Sequence, residues 1–296
     1  MTIIAFHYTE KSMFCIADGL ISRGTSRVIE KDKKIIVINP VYKIPVVSLG
    51  RFSHFTEYKG GKFCIAYAGN YTLISTILKS FTEIVTQKLV LKRSNIGVPT
   101  VYRADDEGRH MRGGDYWDNN NFDFDFNDLI PITINFLANI LEKVCNSACN
   151  DFAINAMQEP DIELLIFGSE MVGHNSTNRA QILFCKAYDE KDSVIIRNSV
   201  LPWSLTCLGD HTVIPLLTKS IENNLQYKIS LAGLVGGSLW SGEPNNSSEY
   251  IQNREDIIKN NVLGRIKQNL GTIGGDCTIA QSGWTQDIVL STIGYS

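Results

Sequence analysis

TIIAFHYTEKSMFCIADG, residues 2–19, is the stretch on which the fold turns. Two apolar runs, Thr2 to Tyr8 and Ser12 to Asp18, flank the polar break Thr9-Glu10-Lys11, and that arrangement predicts a β-hairpin. The hairpin carries Thr2 at one edge and closes on the turn Asp18-Gly19. Removal of Met1 would leave Thr2 with a free α-amine. A threonine hydroxyl is a weak nucleophile, but an α-amine of pKa about 8 on the same residue can take its proton, so no histidine is needed. A nearby ammonium would lower the amine pKa, and a carboxylate would hold that ammonium in place. Asp18 and Lys34 are residues of those types. Each also has an ordinary explanation: Thr commonly follows Met, Asp-Gly closes many strands, and a lysine opening an apolar strand is a common edge charge.

Together, Thr2-Ile3-Ile4-Ala5, Phe14-Cys15-Ile16-Ala17-Asp18-Gly19, Gly24 and Lys33-Lys34-Ile35 resemble the proteasome β-type family of N-terminal-nucleophile hydrolases, which includes HslV. The resemblance implies that Thr2 attacks, Lys34 tunes its amine and Asp18 orients Lys34. Phe63 to Asn70 resembles the family's strand-to-helix segment, whose backbone N–H stabilises the oxyanion, and implies that role for the N–H of Ala66. Asp210, in Leu208-Gly209-Asp210-His211, takes the place of a family serine. The family's supporting Asp and Ser have Asp276 and Ser282 as candidates, only with altered spacing. Carried over by position, Ile21, Ser22, Asp32, Ile36, Cys64 and Ala68 line the substrate pocket. The resemblance also implies a four-layer αββα sandwich, a peptide or protein substrate, ring-shaped homo-oligomers and an ATP-driven unfoldase as partner.

The rest of the chain fits an α+β domain. Strands are expected at 34–38 and 62–68, followed by a helix from 71 to about 91 whose apolar residues (Leu73, Ile74, Ile77, Leu78, Phe81, Ile84, Val85) recur at helical spacing behind an Asn70 N-cap. A second helix is expected over 128–148. Strands at 162–169, 180–187, 193–198 and 203–209 precede helices at 211–225 and 249–268, and strands at 276–281 and 286–293 close the chain. Strands, two helices, strands, two helices, strands suits two mainly antiparallel sheets stacked between helical layers. The expectation is a single domain, 1–296, with inserted loops at about 40–61, 93–127 and 233–248.

Composition narrows the function. The 296 residues are 44% hydrophobic and 20% charged with a net charge of −3, and no Lys/Arg stripe offers a footprint for nucleic acid or a membrane surface. Seven cysteines, odd in number and set in apolar runs, read as buried thiols of a reducing compartment. With no signal-peptide pattern and no apolar run of spanning length, the chain is expected in the cytoplasm. No cofactor or metal is expected: Cys145 and Cys149 lack a second pair, and the acidic run 115–125 lacks the Gly and Glu of an EF-hand. His7 and His211 form no Ser/His/Asp or Cys/His constellation, and Gly233 to Ser238 has no phosphate-loop spacing. The leading expectation is an N-terminal threonine peptidase. Two readings compete with it, a non-catalytic assembly or interaction subunit and a small-molecule amidohydrolase, because fold does not settle substrate.

Overall fold

The computed structural model describes residues 2–23, 26–29, 33–93, 97–103, 124–156, 160–172, 175–188, 192–210, 214–221, 223, 248–268, 276–282 and 287–294. Along these residues run β1 (Ile3–Tyr8), β2 (Met13–Ala17), β3 (Ile21–Arg23), β4 (Ser26–Ile29), β5 (Ile35–Ile38), β6 (Val41–Ser48), β7 (Arg51–Lys59) and β8 (Phe63–Gly69). Helix α1 (Tyr71–Gln87) follows, then β9 (Leu89–Arg93), β10 (Pro99–Arg103) and α2 (Ile134–Ala156). The second half carries β11 (Ile162–Val172), β12 (Asn175–Tyr188), β13 (Asp192–Ser199) and β14 (Leu205–Gly209), helical residues 214–221, α3 (Ser248–Gln268), β15 (Cys277–Ser282) and β16 (Ile288–Ile293). The described residues thus form a mixed α and β structure with mainly antiparallel sheets.

One five-stranded sheet has the order β14-β1-β2-β15-β16 and another the order β13-β12-β11-β8-β5. Every residue of β1 and β2 is buried, and side-chain alternation shows why. Ile4, Phe6 and Tyr8 face the second sheet, packing with Ala66, Leu165 and Phe167. Ile3 and Ala5 face the other way, against Leu217, Ile258 and Val262 of the helical residues 214–221 and α3. A strand covered on both faces must be apolar throughout, and each large side chain so buried contributes about 1.5–3 kcal/mol. The far face of the second sheet, including Phe63, Ile65 and Tyr67, packs against Ile74, Ile77 and Phe81 of α1 and Leu137 and Leu141 of α2.

Several expected boundaries differ, among them the end of α1, which stops at Gln87 so that β9 begins at Leu89 inside the expected helix. Helix α2 starts at Ile134, not 128, because Pro131 disfavours helical geometry at Ile130 and Thr133 then caps the helix, its Oγ1 accepting from Phe136 N at 3.1 Å. Residues 40–61, expected as an inserted loop, form the hairpin β6–β7 within a four-stranded sheet of order β10-β9-β6-β7. Its two-residue turn holds Leu49 at φ 50° and Gly50 at φ 72°, both left-handed as a type I′ turn requires. Much of the expected loop at 93–127 and nearly all of that at 233–248 lie outside the described residues, as do Gly24, Asp32 and His211.

Candidate active site

Thr2, Asp18 and Lys34 reach one point from three elements. Thr2 precedes β1, Asp18 follows β2, and Lys34 enters β5 on the other sheet. The Lys34 ammonium donates to Thr2 Oγ1 at 2.7 Å, to Asp18 Oδ1 at 3.1 Å and to the Leu20 carbonyl at 2.5 Å, which engages its full set of three donors. Lys34 is 3% exposed and Asp18 fully buried, so each charge depends on the other for compensation. Asp18 also grips the main chain beside Thr2: its Oδ1 accepts from Ile3 N at 2.9 Å and its own N–H donates to Ile3 O at 3.1 Å. Behind the pair, the β2–β15 register sets Cys277 opposite Asp18. Burial above all, then the Asp18 and Asp276 carboxylates, pushes the Cys277 thiol up to about 12, with Lys34 pulling the other way. It stays a neutral thiol at the back of the site.

The main chain of Thr2 is held from its other side by Gly209-Asp210. Asp210 N donates to Thr2 O at 2.8 Å, and Asp210 O accepts from Ile214 N at 2.9 Å to open the next helix. Gly209 has φ +109°, and a Cβ there would lie 2.0 Å from Thr2 O. Asp210 therefore stands beside Thr2, through its backbone. Asp276 precedes β15 at the same end of the sheet as Asp18, whereas Ser282 lies at the opposite end of β15, paired with Met13. The supporting role expected of Ser282 is corrected accordingly.

The oxyanion assignment also changes. Tyr67 N donates to Lys34 O at 3.1 Å and Asn70 N to Asp161 O at 2.7 Å. In an antiparallel ladder successive residues point their N–H groups to opposite sides. Odd-numbered residues of β8 thus face β5, and even-numbered ones, Ala66 included, face β11, where Ala66 is paired with Leu165. The N–H of Ala66 belongs to the ladder in the middle of a sheet. Gly69, exposed at the strand end with φ +113°, directs its N–H to the Lys34 side instead.

Of the expected pocket residues, Cys64 and Ala68 are corrected: both are buried between the sheets, and burial pushes the Cys64 thiol up to about 12. Ile36 lines a groove with Tyr67, Tyr71, Ser75, Leu78 and Lys79, on the side of β5 and β8 that faces α1. Tyr67 joins the wall of this groove to the strand that carries the lysine, its N–H donating to Lys34 O at 3.1 Å and its hydroxyl to Lys33 O at 3.1 Å. Ile21 and Ser22 lie in β3, which pairs with β4. One residue at the site escapes sequence reasoning altogether. Glu163, an acidic position in the apolar run Ile162-Glu163-Leu164-Leu165-Ile166-Phe167, accepts from Gly209 N at 2.6 Å.

Among the described residues no group of three His, Cys, Asp or Glu side chains is placed to hold a metal, and no helix is long and apolar enough to cross a membrane. No family model matches the chain, and no curated protein matches it. Among solved structures it is similar to Anbu from Hyphomicrobium sp. strain MC1, at 12% identity and a TM-score of 0.47, over 100% of this chain and 88% of that one. Likeness at that level carries no conclusion about activity. Membership of the proteasome β-type and HslV-like family, expected from the Thr2, Asp18 and Lys34 segments, is withdrawn, since no family model matches the chain.

Proposed function

We propose that Thr2, freed of Met1, is the nucleophile of an amide-bond hydrolase with peptides as its substrate class, and that the two stacked sheets with their outer helices form an αββα sandwich of N-terminal-nucleophile type. The observation that carries this is the 2.7 Å hydrogen bond from Lys34 Nζ to Thr2 Oγ1, with Asp18 behind the lysine at 3.1 Å. A buried lysine and aspartate converging on a hydroxyl at the chain's N-terminal end are costly to maintain as packing alone.

In this reading the α-amine of Thr2 takes the hydroxyl proton as Oγ1 attacks the carbonyl carbon. The ammonium of Lys34, 2.7 Å away, favours the neutral amine and the developing alkoxide. The exposed N–H of Gly69 supports the oxyanion, in place of the N–H of Ala66. The protonated amine then passes its proton to the leaving amine as the C–N bond breaks, leaving an ester on Thr2. Water, deprotonated by the same amine, attacks that ester, and the amine returns the proton to Thr2 Oγ1 as the C–O bond breaks and the acid is released. The groove between β5, β8 and α1 takes the side chain next to the cleaved bond. Its lining of Ile36, Tyr67, Tyr71 and Leu78 suits a large apolar or aromatic group, with Lys79 available to an acidic one.

Intact mass and a peptide boronate or epoxyketone test the reading. The expected result is a chain beginning at Thr2 with one adduct on its N-terminal peptide, absent from Thr2→Ala. A folded, processed protein that forms no adduct would overturn the peptidase reading in favour of the non-catalytic subunit or the small-molecule amidohydrolase.

A further inference from the structure

Glu163 interrupts the apolar face on which it stands. On β11 the odd-numbered residues Leu165 and Phe167 lie in the layer between the two sheets, and Glu163 continues that face to its end. Its backbone is fixed on both sides, opposite Ala68 of β8 and Phe184 of β12. A carboxylate at the margin of such a layer needs a hydrogen-bond donor to offset lost hydration. Gly209 N supplies one at 2.6 Å, from the other sheet.

The need is mutual. Among the described residues, strand β14 is the edge of its sheet, with β1 as its one neighbour. Because Asp210 N bonds Thr2 O, directly opposite, the even-numbered amides of β14 point at β1 and the odd-numbered ones point away. The N–H of Gly209 thus leaves the open edge with no strand to receive it, and the carboxylate of Glu163 takes that place.

We propose that Glu163 is a positioning residue for Thr2: it ties the Gly209-Asp210 turn of one sheet to β11 of the other, and that turn holds the Thr2 carbonyl. This rests on the reading of Thr2 as nucleophile. Asp18 fixes the chain at Ile3, Lys34 fixes the hydroxyl, and the Glu163 tether fixes the remaining side. The role given to Glu163 runs through the Gly209 N–H, so its removal changes geometry and leaves the side chains of Thr2, Asp18 and Lys34 themselves intact. Displacement of a nucleophile by about 1 Å costs on the order of a hundredfold in rate.

The test compares Glu163→Ala, Glu163→Gln and Glu163→Asp in the full chain, with a fluorogenic peptide that Thr2-dependent wild-type protein cleaves. Glu163→Ala is expected to lower kcat roughly 10- to 100-fold with KM nearly unchanged. Glu163→Gln keeps a carbonyl acceptor at the same reach and is expected to restore most of that loss. Glu163→Asp keeps the charge but withdraws it by one methylene, so it should behave like the alanine variant and serves where that variant does not fold. Wild-type kcat in both the alanine and aspartate variants overturns the proposal, as does a glutamine variant no better than alanine. A wild-type protein without Thr2-dependent cleavage overturns the nucleophile reading and this proposal together, whereas Thr2-dependent cleavage insensitive to Glu163 overturns this proposal alone.

Discussion

Lys34 is the residue on which two separate quantities depend. Its ammonium neutralises Asp18 and touches Thr2 Oγ1, so Lys34→Ala leaves a fully buried carboxylate without its cation. The expected cost is about 3–5 kcal/mol of stability, as for other broken buried pairs, and a hundredfold or more in rate. A thermal melt and a rate measurement on one preparation check both, and a variant that melts with wild type refutes the first. A second residue-scale prediction concerns pH. Glu255, 2% exposed on α3 and bonded to Gln281 at 2.6 Å, is pushed up from 4.5 to about 7 by burial, with Asp256 adding to the rise and hydrogen bonds from Gln281 and Ser12 opposing it. Its contribution to stability is complete below pH 4.5 and is lost as pH climbs through about 7. His7 is lowered from 6.5 to about 4, by burial first and then by Arg254, so its contribution is complete above 6.5 and is lost as pH falls through about 4. The two slopes oppose one another between 4.5 and 6.5. Glu255→Gln should unmask the histidine, giving a melting temperature that rises up to pH 6.5 and then levels. A melting profile unchanged by that substitution would show that Glu255 does not hold its proton. Thr2, Asp18 and Lys34 are legible in the sequence because their residue types define a chemistry at short spacing. The choice between Ala66 and Gly69 as oxyanion donor is not, because the direction of an N–H depends on ladder register, which sequence does not display. Glu163 is invisible there because a lone acid in an apolar run looks like an edge position.

At the scale of elements, two strand ends repeat one device. Gly69-Asn70 ends β8 and Gly209-Asp210 ends β14; each glycine has positive φ and sits where a Cβ would meet the carbonyl just ahead of the neighbouring strand, and each following Asx donates to that carbonyl and opens a helix. Gly209→Ala, with its Cβ 2.0 Å from Thr2 O, and Gly69→Ala, 2.3 Å from Asp161 O, should each destabilise by about 1–3 kcal/mol from backbone strain alone, before the clash is counted. Gly264 lies within α3, where an added Cβ would meet nothing within 4 Å, so Gly264→Ala should stabilise by about 0.5–1 kcal/mol. Urea unfolding of the three variants gives the comparison, and opposite signs are the expected result. Of the elements, the strands and helices of the two main sheets are legible because apolar periodicity is local. The β6–β7 hairpin is not. Its turn is Leu49-Gly50 in place of Asn-Gly, and β6 finds β9, its parallel partner, across the intervening β7, β8 and α1.

For the whole molecule, three apolar layers account for the distribution of cysteine. Cys15 and Cys64 lie between the sheets, Cys145 and Cys149 under the α1–α2 layer, and Cys277 under α3, while Cys185 and Cys207 are half-buried. Burial pushes the Cys145 thiol up to about 12, and Cys149 is raised by its hydrogen bond with Cys185 and by burial. Iodoacetamide on the native protein at pH 8 should label Cys185 and Cys207 at most, and all seven after denaturation; prompt native labelling of Cys64 or Cys277 would contradict this packing. The stacking of sheets and helices is foreshadowed by the order of elements, whereas the third sheet needs pairings that no local pattern announces. The central place of β1 has a further consequence, one of timing. Its neighbour β14 is made roughly 200 residues later, an interval of about 10–40 s at ~5–20 residues per second of synthesis. Throughout that interval the outer edge of β1 stands without its partner, so the Thr2 carbonyl gains the hold of Asp210 N only once the chain has been made as far as β14.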